Sequence, residues 1–298
     1  MNNKIRWLDR LDHVCTDKHI GIHGRILEQK ICTCQDLKPI KQKYDEYRYS
    51  IRQLKIKDKE SVEQAVDLLN QYRSAAIPVF ESRINSGQET LRSSILEEFF
   101  TYLFKDLVIA TGVAQDATVV GKDHIYVSLS FTPRTFTDLA KQPKPYVHTK
   151  DQDFVLGCIT ELRVASPGIP MDEVSGVQLT IPVIAIECKT YIERNMLDTC
   201  AGTARRLKSA MPYCLYMVVA EYLKLDEGFP ELTDIDEVYI LCRAKNCERE
   251  TRKKSDQELH QIHSDLVFDI FEKVDRHLNR IWWDPGTALE RGKVIGRP

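Results

Sequence analysis

The 298-residue chain has no apolar run approaching the roughly 18 residues that a membrane span needs. Its opening stretch, MNNKIRWLDRLDH, lacks the apolar centre of a secretory signal. Together these absences predict a cytoplasmic protein without a membrane partner. Glycine and proline are sparse, at 13 and 12 residues, which excludes collagenous and low-complexity chains. There is no G-x-x-x-x-G-K-[ST], no G-x-G-x-x-G and no G-x-S-x-G, so NTPases, dinucleotide-dependent enzymes and typical α/β-hydrolases are poorly supported. No internal repeat is visible, which argues against a solenoid. The nine cysteines are scattered through apolar contexts such as Ile186-Glu187-Cys188, which predicts reduced thiols and no disulfide framework.

What is present reads as a folded protein: 43% hydrophobic and 29% charged residues, enough for a sizeable core. The formal net charge is only -2, so no global basic field announces a polyanionic partner. The distribution is uneven, with fourteen basic and nine acidic side chains in the first 60 residues. That segment suits either an anion-binding arm or a solvated helical surface, built of loops and short helices. Lys41, Lys43, Tyr44, Tyr47, Arg48, Tyr49 and Arg52 interleave bases with aromatics there. A second basic run, Arg243 to Lys254, reads as a phosphate-facing loop.

From Ser61, a plausible N-cap, the sequence turns helical, with Val62, Ala65, Val66, Leu69 and Tyr72 on one face; Pro78 is expected to end or kink that helix. After Asn85-Ser86-Gly87 a second helix carries Leu91, Ile95, Phe99, Tyr102 and Leu103. Strands are expected at 118–120, 125–131, 153–159, 178–186, 214–220 and 237–242, with a helix over 192–210 and a last one from about Asp256 to Trp282. The order predicts a mixed α/β layered architecture.

Chemistry concentrates at Asp153, read as the head of a strand, and at Glu187 with Lys189, read as the end of a long apolar one. Side chains alternate along a strand, so Glu187 and Lys189 leave together while Cys188 packs into the core. Charges beside an apolar run are costly unless paired, solvated or engaged with a metal or ligand. If the two strands are neighbours, the carboxylates converge into an oxygen-rich site for a hard cation such as Mg2+. A nearby lysine can orient a metal-activated water or offset charge building on a phosphoryl group. That is phosphodiester hydrolysis in outline; the alternative is a simple Glu187–Lys189 ion pair.

With Asp153 followed, after 33 residues, by Glu187-Cys188-Lys189, the chain resembles the PD-(D/E)XK nuclease superfamily, over roughly residues 88–221. The resemblance implies an αβββαβ restriction-endonuclease-like core, with a mixed central sheet flanked by helices and a helical N-terminal extension. It implies Mg2+, double-stranded DNA as substrate, Asp153 and Glu187 as metal ligands, and Lys189 as a catalytic residue. No proline precedes Asp153, which leaves Asp151 as an alternative; Asp153 is preferred because the apolar strand follows it directly. A glutamate on the first core helix commonly assists in such enzymes, and Glu97 in LRSSILEEFFTYLF fits that position and that metal role, with Glu98 the alternative. Arg205, Arg206 and Lys208 lie on the expected following helix, available to phosphates.

The whole-chain layout further resembles the two-subunit type II restriction endonucleases of the Bpu10I and BbvCI kind. This implies a second homologous nuclease subunit, or a second copy of the chain, and a division into residues 1–87, contacting DNA or partner, and 88–298, the nuclease domain. Two unlike chains suit an asymmetric recognition site, as a homodimer suits a palindrome. The competing functional readings are a structure-selective repair or recombination nuclease and a non-catalytic DNA-binding subunit. His13, Cys15, His19, His23, Cys32 and Cys34 supply enough soft ligands for zinc, but their spacing matches no recognised finger, and an unmetallated cluster is expected.

Overall fold

The structure, a computed structural model, describes residues 21–82, 89–141, 143–255, 257–280 and 282–293. His13, Cys15, His19 and the Asn85-Ser86-Gly87 turn lie outside the described residues.

The N-terminal segment is more regular than expected. Helix α1 spans Ile22–Ile31 and helix α2 spans Lys38–Gln53. In α2, Ile40, Tyr44, Tyr47 and Ile51 recur at helical spacing and are buried, which leaves the lysines on the solvent side. Helix α3, Lys59–Glu81, is capped by Asp58, not Ser61. Asp58 accepts from the Ser61 N–H at 3.0 Å while Ser61 Oγ accepts from the Asp58 N–H at 3.1 Å, a reciprocal capping box. Pro78 does not end this helix, which continues to Glu81; so near the C-terminus the lost N–H forfeits one bond without exposing a long stretch.

Helix α4, Glu89–Ala110, lies between these helices and the sheet and is buried on nearly every side. Phe100 and Phe104 stack at 5.8 Å, and Phe154 from the sheet packs against both. Full burial of each such ring contributes roughly 1.5–3 kcal/mol.

The sheet has five strands in the order β1 (Thr118–Phe131), β2 (Pro145–Leu162), β3 (Val177–Ile192), β4 (Leu215–Leu223) and β5 (Glu237–Lys245). The first two pairings are antiparallel and the last two parallel. Helix α5 (Phe136–Lys141) lies between β1 and β2, α6 (Arg194–Ala210) between β3 and β4, and α7 (Asn246–Ser255) follows β5. Helices α8 (Ser264–Asn279) and α9 (Pro285–Arg291) complete the chain. The single C-terminal helix expected from Asp256 is therefore shorter: Leu259 and Ile262 are buried on extended chain ahead of α8.

Strand β3 is buried on both faces, as a central strand should be. Ile184, Ile186 and Cys188 join the core shared with α1–α4 and α8, whereas Ala185 joins a second core with Leu197, Cys200, Ala204 and Leu207 of α6. A bulge at Leu156/Gly157 lets β2 follow this strand, and only glycine fits there, because a Cβ on Gly157 would lie 2.4 Å from the Ile181 carbonyl oxygen.

A buried ionic network ties the layers together. Glu221 on β4 accepts from Arg73 of α3 at 2.7 Å and from Arg92 of α4 at 2.8 Å. Glu81 accepts from Arg92, Arg249 and Arg252. The expected phosphate-facing loop is thus corrected: Arg249 and Arg252 sit on α7, buried against a carboxylate 168 and 171 residues away. Among the described residues no helix is long and apolar enough to cross a membrane, and the eight cysteines are free thiols.

Candidate active site

Strands β2 and β3 pair with Phe154 opposite Ile186, which sets Asp153 beside the Glu187–Lys189 segment. Asp153 lies in the middle of β2, not at its head, because that strand begins at Pro145. Its Oδ2 accepts the Cys188 backbone N–H at 3.0 Å and lies 3.5 Å from Lys189 Nζ. Lys189 Nζ also donates to Glu187 Oε1 at 2.5 Å. The other Glu187 oxygen accepts from Gln152 Nε2 at 2.7 Å. Gln152 is fully buried, so the amide holds that carboxylate from beneath.

Two residues to which no sequence motif pointed complete the cluster, Gln152 and Lys122. Lys122 sits at a bulge of β1, where the register shifts between Gly121 and Asp123 and Gly121 adopts φ +119. Its Nζ lies 3.3 Å from Glu97 Oε2, 3.4 Å from Asp153 Oδ1 and 3.8 Å from Asp151 Oδ2. Only the sheet register could have revealed either residue.

The two carboxylate alternatives differ in their surroundings. The Asp153 side chain is 18% exposed and bonded into the cluster, whereas Asp151 is 54% exposed and faces His124 at 3.8 Å. Glu97 points to the cluster through Lys122. Glu98 points the opposite way, where it accepts the His23 and Gly24 N–H groups at 2.9 and 3.2 Å and the Tyr44 and Tyr102 hydroxyls at 2.7 and 3.1 Å. Gly21, the N-cap of α1, offers no side chain, so Glu98 satisfies the open N–H groups of that helix.

Burial and the like charge of Asp153 push the Glu97 carboxyl up to about 7, against the opposing pull of Lys122. Burial disfavours the Lys189 ammonium, but Asp153 and Glu187 outweigh it and hold its pKa above the ordinary lysine value. Carboxylates and two ammonium groups therefore share one partly buried cluster of charge at the end of the β2–β3 pairing. Among the described residues no group of three or more His, Cys, Asp or Glu side chains is closed enough to hold a metal ion by itself.

Other sequence candidates lie elsewhere. His23 is buried between Ser94 Oγ at 2.9 Å and Tyr72 Oη at 2.5 Å, while Cys32 is exposed. Tyr44 and Tyr47 pack inward, and Lys41 pairs with Asp45 and Glu28. On α6, Lys208 pairs with Asp236 at 2.5 Å, whereas Arg205 and Arg206 remain exposed.

A mixed five-stranded sheet between helical layers, with an Asp, Glu and Lys cluster where two neighbouring strands part from each other, defines a restriction-endonuclease-like α/β protein. Comparison with known proteins agrees. A model of the Bpu10I restriction endonuclease family matches residues 88–294, and the chain belongs to that family. It is a subunit of a type II restriction endonuclease, an enzyme that hydrolyses DNA. A solved structure described as the native BbvCI A2B2 tetramer at low resolution shares the fold, with a TM-score of 0.66 and 23% identity over 86% of this chain and 95% of that one. No curated protein matches the sequence.

Proposed function

We propose that the chain is one subunit of an enzyme that cuts double-stranded DNA at a specific sequence in a Mg2+-dependent reaction, with Asp153, Glu187 and Lys189 at its centre. The observation that carries this reading is the convergence of Asp153 and Glu187 on Lys189 Nζ, at 3.5 and 2.5 Å. The donor set fits a hard divalent ion, because the atoms able to ligate one are the carboxylate oxygens of Asp153, Glu187 and Glu97, with no thiolate or imidazole among them. Asp153 and Glu187 would hold the ion, with Glu97 assisting from α4. When bound, Mg2+ polarises a phosphoryl oxygen and acidifies its coordinated water. Lys189, kept charged by its two carboxylates, orients the attacking water and offsets charge building on the phosphate. Gln152 fixes the Glu187 carboxylate, and Lys122 compensates charge between Glu97 and Asp153.

The BbvCI structure is described as an A2B2 assembly of two kinds of chain. We read this chain likewise, paired in the cytoplasm with a second homologous nuclease subunit or with a second copy. Residues 1–87 then form an extension contacting DNA or that partner, and residues 88–298 form the nuclease domain. The test is incubation with phage DNA in Mg2+ or EDTA, alone and with a homologous chain. Discrete Mg2+-dependent fragments are expected; duplex DNA left intact in every condition sinks the proposal.

A further inference from the structure

Beyond the active site, β1 and β2 continue as a ribbon that the rest of the sheet does not accompany. Strand β3 pairs with residues 154–162 of β2, and its backbone pairs with β1 at the single position Ile125–Thr180. From residue 126 to 131 and from 145 to 151 the two strands pair only with each other, and none of these residues is buried. Apart from Val127, which packs on the core under α6, the ribbon has no hydrophobic core of its own, and a two-stranded ribbon is marginal in water by itself, so this segment is built for something that lies against it.

Its composition says what. Residues 126–151 hold Arg134, Lys141, Lys144 and Lys150 against two acidic residues, Asp138 and Asp151, a local +2 in a chain whose net charge is -2. None of the four cations makes an ion pair among the described residues, unlike Lys41, Lys208, Arg249 and Arg252. Pairing also gives the ribbon a polar face. Ser130 lies opposite Tyr146 and Ser128 opposite His148, so hydroxyls and an imidazole project together. Ser130 Oγ and His148 Nε2 are 2.8 Å apart, and the Tyr146 and His148 rings meet edge to face at 4.7 Å. These contacts pre-order the donors and acceptors in an exposed position.

We propose that this ribbon is the DNA-reading arm, seated in the major groove with Ser130, Tyr146 and His148 toward base edges and Arg134, Lys141 and Lys150 against flanking phosphates; this deepens the proposed function and rests on it. A major groove about 12 Å wide admits a two-stranded ribbon, and cationic flanks give position while hydrogen-bonding side chains read bases. The arm is continuous with the site, because β2 carries both His148 and Asp153. Five residues at about 3.3 Å each put the reading face within about 17 Å of the proposed metal ligand, roughly five base-pair steps.

The test uses the full chain, with its second subunit where cleavage requires one, on phage DNA. Tyr146→Ala/His148→Ala is expected to lower cleavage at the wild-type sites roughly 10- to 100-fold for each base edge no longer read, or to cut at additional sites. The same variant loses protection of guanine N7 from dimethyl sulfate in a mapped site. Lys141→Ala/Lys150→Ala, measured in EDTA, lowers the slope of log affinity against log salt by about one for each lysine. Wild-type fragments, N7 protection and salt slope in these variants overturn the proposal. So does loss of subunit assembly on gel filtration with DNA affinity unchanged, which makes the ribbon a chain–chain interface. A wild type that binds DNA with the expected salt slope and N7 protection but never cuts it overturns the catalytic reading alone.

Discussion

The Asp153 carboxylate is hydrogen-bonded to the backbone N–H of Cys188, the residue between Glu187 and Lys189, at 3.0 Å. One strand's acid is thereby tethered to the very segment that carries the other two charged groups. Asp153→Asn keeps an acceptor for that N–H and removes only the charge. Cleavage under single turnover is expected to fall by about 10²-fold or more, with the melting temperature little changed, because the lost repulsion toward Glu97 offsets the lost attraction to Lys122 and Lys189. Wild-type rates in this variant would transfer the role to Asp151.

Gln152 acts through Glu187. With its Nε2 donor 2.7 Å from Glu187 Oε2, Gln152→Leu leaves the carboxylate free to rotate. Supporting residues of this kind typically cost 10- to 100-fold in metal affinity or activity. The Mg2+ concentration for half-maximal cleavage is expected to rise by about that factor, and an unchanged Mg2+ titration would show that Lys189 alone suffices to hold Glu187.

Glu221 stabilises the fold rather than the chemistry. Arg92 and Arg73 outweigh its burial and hold its pKa down at about 2. A depressed carboxylate contributes stability that is present above its unfolded pKa near 4 and is lost as pH falls through about 2. Glu221→Ala strands two buried guanidinium groups, and a loss of about 3–5 kcal/mol in urea unfolding is expected. A loss under 1 kcal/mol would mean that the arginines find other partners.

His23 makes the interface of α1 with α3 and α4 sensitive to milder acid. Ser94 Oγ donates to the Leu91 carbonyl, so the consistent assignment is Nδ1–H donating to Ser94 and Nε2 accepting from Tyr72. Burial lowers the pKa to about 3. Between pH 6.5 and 3 the unfolded chain binds the extra proton, so stability falls with acidification by about 1.4 kcal/mol per pH unit. From pH 7.5 to 5 the loss attributable to this residue is about 2 kcal/mol. His23→Gln should flatten that slope in urea titrations, and an identical pH profile in the variant would refute the assignment.

Legibility tracked how local each signal was. The run from Gln178 to Ile186 announced a central strand because continuous apolar sequence is what burial on both faces requires, and Glu187-x-Lys189 was visible at its end. The layered mixed α/β fold followed from the order of elements. Glu97 and Glu98 are not told apart by pattern, since α4 is buried nearly all round and carries polar side chains on more than one face. Lys122 and Gln152 were silent because a bulge and a strand register place them. Arg249 and Arg252 looked like surface charge because Glu81, their partner, is remote in sequence. The Ile40, Tyr44, Tyr47, Ile51 stripe was readable in principle, but the surrounding lysines masked its helical period.

Consecutive carboxylates on α4 face opposite neighbourhoods, Glu97 toward the charged cluster and Glu98 toward α1 and α2. Because successive residues in a helix are about 100° apart, these two anchors fix the rotational angle of α4 about its own axis. Turning the helix to favour one carboxylate detaches the other. The three donors that α1 and α2 give Glu98, from His23, Gly24 and Tyr44, therefore act as a torsional stop, and slackening them lets Glu97 swing although nothing in the cleavage site itself has changed.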